Sequence, residues 1–257
     1  FRRVGDPRIE LADNEPVIAC AYEEEARAYP LRILMFHEIV NDIIGELPIA
    51  VSYCPLCNAS IVFDRRVDGR VLDFGTTGKL RNSDLIMYDR QTESWWQQFV
   101  GEAIVGELTG HRLRMMPSRV MPYGLFAASY PHGKVLQPPG GAIAYGRNPY
   151  AYYDSADWPF MFHGDYDRDL APLDYVLAVG DEGWSLDLLS RVGRIETDSL
   201  IIEWRPGMAS ALDEAWIPNG RDIGHVTVMN HDGEPVVHGI TFAFAFAAFH
   251  PDGVLHH

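Results

Sequence analysis

The chain has few cysteines and few basic residues, and each shortage excludes a class of protein. Three cysteines in 257 residues are too few for a scaffold built on disulfides. Lysine and arginine total 21 against 36 acidic residues, and the formal charge of −15 argues against nucleic acid and anionic lipid as partners. The longest apolar run, Ile240 to Phe249, has about half the length of a membrane-spanning helix. Phosphate-loop, dinucleotide-binding and nucleophile-elbow motifs are also missing, so we expect a globular protein that acts on a small-molecule substrate or a redox partner.

The apolar pattern predicts an α+β fold that is predominantly antiparallel β. Five β-rich runs predict strands: Leu47 to Tyr53, Ile61 to Phe63, Val71 to Phe74, Leu85 to Tyr88 and Ile201 to Trp204. Asp68-Gly69 between the second and third runs is a strong hairpin signal. Two short helices are predicted, at Arg32 to Val40 and at Leu186 to Val192.

Four short stretches recur in the same order in both halves of the chain, which predicts two related lobes from an internal duplication. The pairs are Tyr29–Leu34 with Trp184–Leu189, Asn58–Asp64 with Gly207–Asp213, Val67–Arg70 with His231–Glu234, and Phe126–Pro131 with Phe246–Pro251. The predicted division is a first lobe at 1–137, an aromatic and glycine-rich connection at 138–181, and a second, degenerate lobe at 182–257. The connection is rich in tyrosine and tryptophan, so we expect it to pack against the lobes.

Cys54-Pro55-Leu56-Cys57, at the end of an apolar run, is the strongest chemical motif in the chain. Its spacing suits two thiolates on one soft metal ion, or a pair that cycles between dithiol and disulfide. Two inert core thiols or a structural disulfide fit the spacing as well. The second lobe has Glu203-Trp204-Arg205-Pro206 at the corresponding place, which keeps the scaffold without the cysteines. This difference favours a chemical role for the pair.

His37 is the predicted third ligand, because imidazole is a common ligand of zinc and copper. The second lobe has about Val192 at the corresponding place. The alternative is a core histidine that is satisfied by one backbone carbonyl. Further residues are predicted to orient a ligand or to line a pocket, although each also has an ordinary structural explanation: Glu38, Asp42, Met87, Arg90 and Trp95.

Several of these motifs together resemble the DUF3179 family. The resemblance rests on Tyr29–Leu34, His37–Asp42, Tyr53–Cys57 and Met87–Ser94, and it continues through the second half of the chain. It implies an extracytoplasmic location, periplasmic or anchored, because members often carry export signals or lipid anchors. It implies no activity, since the family is named for lacking a known function. The chain departs from the family at Asn58, where relatives usually have glycine.

These observations predict a mononuclear transition-metal protein with a Cys54, Cys57 and His37 site. A copper ion is favoured over zinc, because an open soft site outside the cytoplasm suits redox chemistry. The predicted activity is that of an O₂-dependent oxidoreductase acting on a small molecule. The alternatives are a thiol–disulfide redox protein that uses the same cysteines and a non-catalytic module for metal binding or delivery. The sequence assigns neither an oligomeric state nor a role for Cys20.

Overall fold

The computed structural model describes residues 1–257 and consists mainly of short strands. In the first half the strands are β1 (Arg2–Arg3), β2 (Pro16–Tyr22), β3 (Glu25–Pro30), β4 (Ile39–Ile44), β5 (Leu47–Cys54), β6 (Ala59–Asp64), β7 (Arg66–Val67), β8 (Arg70–Val71), β9 (Phe74–Arg81), β10 (Asp84–Asp89), β11 (Trp95–Gln97), β12 (Glu102–Val105), β13 (Met115–Met116), β14 (Arg119–Pro122) and β15 (Lys134–Val135). In the second half they are β16 (Tyr175–Val179), β17 (Glu182–Ser185), β18 (Arg194–Glu196), β19 (Ile201–Arg205), β20 (His225–Met229), β21 (Gly239–Phe242) and β22 (Val254–His256). The helices are α1 (Leu31–His37), α2 (Tyr123–Ser129), α3 (Leu186–Val192) and α4 (Ala243–Phe249), with 3₁₀ turns at Tyr153–Ser155 and Ile217–Asn219.

The strands form five small sheets and one two-stranded hairpin, in a propeller-like arrangement. The sheet orders are β1-β15-β3-β2-β14, β12-β11-β10-β9, β13-β6-β5-β4, β21-β16-β17-β22 and β18-β19-β20, and β7 pairs with β8. All neighbours are antiparallel except β15 on β3 and β22 on β17. The predicted predominance of antiparallel β is therefore confirmed, and the helical part is small. No helix is long and apolar enough to span a membrane.

Most predicted elements correspond to observed ones, but one predicted strand and one helix end are wrong. The predicted strand Val71 to Phe74 is interrupted, because β8 ends at Val71 and β9 begins at Phe74, and the Leu72 N–H between them donates to the Arg65 carbonyl at 2.9 Å. β5 covers Leu47–Cys54 with every residue buried, and α3 covers Leu186–Val192 as predicted. The first helix ends at His37 instead of continuing to Val40. The reason is Glu38, whose φ of 55° lies in the left-handed region and turns the chain directly into β4.

The two halves of the chain share one hydrophobic core. A single cluster of 44 buried residues includes Tyr53 and Phe63 from the first half and Phe242 and Phe244 from the second. The backbone N–H of Phe242 donates to the carbonyl of Cys57 at 3.1 Å. The turn from Cys54 to Asn58, called the cysteine turn below, therefore lies where the halves meet.

Candidate metal centre

The cysteine turn joins two buried strands by a short reversal. β5 ends at Cys54, which pairs in register with Ala59 at the start of β6. Asn58 closes the turn with a φ of 52°, a left-handed conformation that asparagine adopts more easily than most residues. Both thiols are free, and Cys54 and Cys57 are only 2% and 0% exposed.

A hairpin from another sheet brings Asp84 to this turn. β9 and β10 are joined by the two-residue loop Asn82-Ser83, with φ values of 52° and 61°, as in a type I′ turn. Asp84 is the first residue after this loop and is fully buried. The Cys57 thiol donates to Oδ1 of Asp84 at 2.9 Å.

Together the two thiols and the carboxylate form a compact cluster of potential ligands. The ligand atoms of Cys54, Cys57 and Asp84 all lie within 4.8 Å of one another. The other carboxylate oxygen, Oδ2, accepts hydrogen bonds from Gln97 Nε2 at 2.5 Å and from the Phe99 N–H at 2.9 Å. These two donors fix the orientation of the carboxylate, as outer groups commonly do around a metal. Oδ1 is left facing the thiols.

Burial controls the protonation of the cluster. It raises the pKa of Asp84 to about 6, although hydrogen bonds from Cys57, Gln97 and the Phe99 N–H act in the opposite direction. Burial also raises the pKa of the Cys57 thiol well above its ordinary value, and the hydrogen bond with Cys54 and the charge of Asp84 raise it further. Without a cation the Cys57 thiol therefore keeps its proton at neutral pH, and the Asp84 carboxyl keeps its proton to a higher pH than an ordinary aspartate. A bound metal ion reverses this preference, because coordinating thiols lose their protons.

Comparison with known proteins assigns the chain to a family. The family model described as "Protein of unknown function (DUF3179)" matches residues 1–253. The chain belongs to the DUF3179 family. No curated protein and no solved structure matches it. The function of this DUF3179 protein must therefore be argued from the chemistry of its site.

His37 of this DUF3179 protein lies near the cysteine turn but outside the cluster of ligands. It ends α1, and the carbonyl of the next residue, Glu38, accepts a hydrogen bond from the Tyr53 N–H at 2.8 Å, at the end of β5. Its Nε2 is paired with the Tyr145 hydroxyl at 2.7 Å. The three grouped ligands do not include His37, so its role as a ligand stays a prediction.

Two residues near His37 that were predicted to orient a ligand have other partners. Asp42, on β4, pairs with the Arg27 guanidinium at 2.6 Å and accepts from the Tyr29 hydroxyl at 2.8 Å. Burial raises the pKa of the Glu38 carboxyl, which is partly exposed. Neither carboxylate belongs to the cysteine–aspartate cluster.

The other predicted pocket residues lie in strands β10 and β11 or directly after β10. Met87 is fully buried in the core. Arg90 donates to the Tyr88 hydroxyl at 2.9 Å, and the Lys79 ammonium lies 5.7 Å from the centre of the Trp95 ring. None of these three residues belongs to the cysteine–aspartate cluster.

Sequence reasoning missed Asp84, which is the third group of the cluster. A signal was present, since an acidic residue stands directly before the apolar run Leu85 to Tyr88 and directly after Asn82-Ser83. A carboxylate at the first position of a buried strand needs partners in the interior. The identity of those partners depends on the packing of two different sheets.

Part of the aromatic connection covers the cluster. The Tyr153 hydroxyl donates to the carbonyl of Leu56, inside the cysteine turn, at 2.8 Å. The Ser83 hydroxyl, next to Asp84 in the β9–β10 loop, donates to the carbonyl of Phe160 at 2.6 Å. These hydrogen bonds tie the connection to both structures that carry the ligands.

Proposed function

We propose that this protein binds a single transition-metal ion through Cys54, Cys57 and Asp84. The observation that carries the proposal is the convergence, within 4.8 Å, of two thiols and a carboxylate supplied by two different sheets. Each of these groups is costly to bury in its charged form without a compensating cation. A metal ion supplies that compensation, and its binding explains why all three groups lie together in the interior.

The donor set favours zinc over copper. Copper was the expectation for a site with two cysteines and His37, but Asp84 adds a hard oxygen ligand. Carboxylate oxygen and thiolate sulfur are both usual ligands of Zn²⁺, whereas Cu⁺ is selected by sulfur ligands. Two thiolates and one carboxylate carry three negative charges, which a divalent ion neutralises better than a monovalent one.

His37 is our candidate for the fourth ligand. Its Nε2 is occupied by the Tyr145 hydroxyl, so binding a metal through this nitrogen requires that the hydrogen bond be exchanged for a bond to the ion. A Tyr145→Phe variant frees Nε2 without removing the ring. If His37 is the fourth ligand, Tyr145→Phe retains or strengthens metal binding, whereas His37→Ala weakens it.

The burial of the site favours a structural metal ion over a catalytic one. All three ligands are at most 2% exposed, and closed sites are typical of structural zinc. The predicted O₂-dependent oxidoreductase activity requires Tyr153 and Phe160 to move, so that O₂ and a substrate reach the buried ligands. We also propose an extracytoplasmic location from the family resemblance. Free thiols oxidise readily in such a compartment, and a bound metal ion protects the two thiolates from oxidation.

Metal analysis of the purified protein tests the proposal. We expect near-stoichiometric zinc by mass spectrometry, lost in Cys57→Ser and in Asp84→Asn. Cys20→Ser is the matched control, because Cys20 is also buried but lies on β2, outside the cluster, so this variant retains the ion. Copper in place of zinc would overturn the choice of metal. An ion-free protein with a reversible Cys54–Cys57 disulfide would overturn the metal site and favour the thiol–disulfide function.

We also propose that the chain arose by internal duplication, as its recurrent stretches predict. Support comes from the matching orders β14-β2-β3-β15 and β21-β16-β17-β22, each of which has one parallel pair at the corresponding place. Further support comes from α2 and α4, which both have seven residues. Their capping residues Tyr130 and His250 have nearly identical dihedral angles. On this proposal the cysteines belong to the first copy alone.

A further inference from the structure

Two adjoining cavities between the halves of the molecule have an unusual charge distribution. Their volumes are about 150 and 220 Å³, and both are lined by Ser118 and His238. Their linings contain two arginines and two histidines but no aspartate or glutamate, although the chain has 36 acidic residues. A pocket with this lining is suited to an anion.

Arg119, which lines the smaller cavity, is a partly buried cation without a carboxylate partner. Other partly or fully buried arginines are each paired with an acidic residue: Arg27 with Asp42, Arg32 with Glu15, and Arg65 with Asp73. Arg119 instead donates to the Thr227 hydroxyl at 2.6 Å and contacts the Met121 sulfur at 3.3 Å. Burial without a nearby carboxylate lowers the pKa of Arg119.

Polar groups that can bind an anion surround this guanidinium. The hydrogen bonds to the anion come from Arg119 and from hydroxyl groups rather than from His238. Burial and the charge of Arg119 lower the pKa of His238, and Nδ1 of its neutral ring donates to the carbonyl of Val236 at 2.7 Å, so its Nε2 presents only a lone pair. The hydroxyl-bearing residues Ser118, Tyr130 and Thr227 line the same cavity. The larger cavity continues beyond His238 with mainly apolar walls, among them Ile61, Phe99 and Met116.

We propose that this cleft binds a small organic anion, a monocarboxylate with an apolar chain. Its carboxylate pairs with the Arg119 guanidinium, and its chain occupies the larger cavity beyond His238. Arginine is well suited to this role, because its planar fork binds a carboxylate through two parallel hydrogen bonds. The proposal is independent of the metal centre, since neither cavity is lined by Cys54, Cys57 or Asp84.

Calorimetric titration with hexanoate tests the proposal, with hexylammonium and 1-hexanol as probes of the same chain length. We expect hexanoate to bind and the other two to bind at least about tenfold more weakly. Arg119→Gln should weaken hexanoate binding by about tenfold or more. Arg112→Gln is the matched control. Arg112 lines the larger cavity, but its side chain is 70% exposed and already pairs with Glu102 at 2.7 Å, so affinity should change by less than about twofold.

A second pair of variants protects the test against misfolding of Arg119→Gln. Ala21 is exposed and lines the smaller cavity, so it accepts a longer side chain without disturbing the core. Ala21→Glu should abolish hexanoate binding by charge repulsion, while the neutral, similarly shaped Ala21→Gln should retain it. No detectable hexanoate binding by the wild-type protein, equal hexanoate affinity in Ala21→Glu and Ala21→Gln, or hexylammonium binding as tight as that of hexanoate, would overturn the proposal.

Discussion

At the scale of single residues, Asn58 determines the shape of the cysteine turn. Its φ of 52° favours glycine or asparagine, and its side chain accepts from the Tyr53 hydroxyl at 3.1 Å and donates to the carbonyl of Ile240 at 3.3 Å. Asn58→Gly loses only the hydrogen bonds, whereas Asn58→Ala also strains the backbone. We expect Ala to lower the free energy of unfolding by about 1 kcal/mol more than Gly does. Urea denaturation of the two variants measures this difference, and equal costs would refute the role of the left-handed conformation.

His225 makes the stability of the protein depend on pH. It is 6% exposed, and its pKa is lowered to about 4, first by burial and then by the charges of Arg119 and Arg205. The unfolded chain, with an ordinary histidine pKa near 6.5, therefore binds more protons than the folded chain between these values. The free energy of unfolding is highest above about pH 6.5 and falls as the pH drops toward 4, with about 2–3 kcal/mol assigned to this residue.

The measurement compares the wild-type protein with His225→Phe by urea unfolding at about pH 7.5 and about pH 4.5. Phenylalanine does not titrate, and no hydrogen bond to His225 Nδ1 is lost, because that buried atom has no partner. The variant should lose less stability than the wild-type protein on acidification. Parallel losses in the two proteins would show that other groups carry the pH dependence.

Single residues also show where prediction from the sequence reaches its limit. Cys54 and Cys57 could be identified because their geometry is local, with both thiols on one turn after a buried strand. Asp84 is 27 residues further along the chain, and its contact with Cys57 depends on how two sheets pack. Local patterns contain no information about that packing, so the cluster could be predicted only in part.

At the scale of elements, the hairpin between β9 and β10 determines where Asp84 lies. Asn82 begins its two-residue loop with a φ of 52°, which proline cannot adopt. Asn82→Pro should lower the free energy of unfolding by roughly 2–3 kcal/mol and weaken zinc binding, because the start of β10 is displaced. Asn82→Gly suits the same turn and should stay within about 0.5 kcal/mol of the wild-type protein. Zinc titration and urea unfolding of both variants test this, and an unchanged zinc affinity in Asn82→Pro would contradict it.

β5 was easier to predict than the end of α1. β5 is a continuous apolar run of buried residues, so its composition is sufficient to predict it. The end of α1 depends on one backbone conformation, that of Glu38, which glutamate adopts only when its surroundings require it. Its neighbours on β5 are distant in sequence from the helix, so the preceding pattern did not indicate this end.

At the scale of the whole molecule, charge is distributed unevenly over the fold. The composition gives a net charge of −15, yet the cleft between the halves is lined by Arg119 and His238 and by no acidic residue. Arg119 is on β14 and His238 directly precedes β21, so only the packing of the two halves brings them together. The net charge can be read from the sequence, but the absence of acidic residues from the cleft depends on how the chain folds.

The shared core predicts that the two halves fold as one unit. The cluster of 44 buried residues extends across both, and the Cys57 carbonyl accepts hydrogen bonds from Thr241 Oγ1 at 2.7 Å and from the Phe242 N–H at 3.1 Å. Separation exposes the large apolar side chains that each half buries against the other. We expect one calorimetric transition for the full chain, with equal calorimetric and van't Hoff enthalpies, and no cooperative transition for 1–137 or 138–257 alone. Two resolved transitions, or a cooperatively folded half, would show that the interface adds little to the stability of either half.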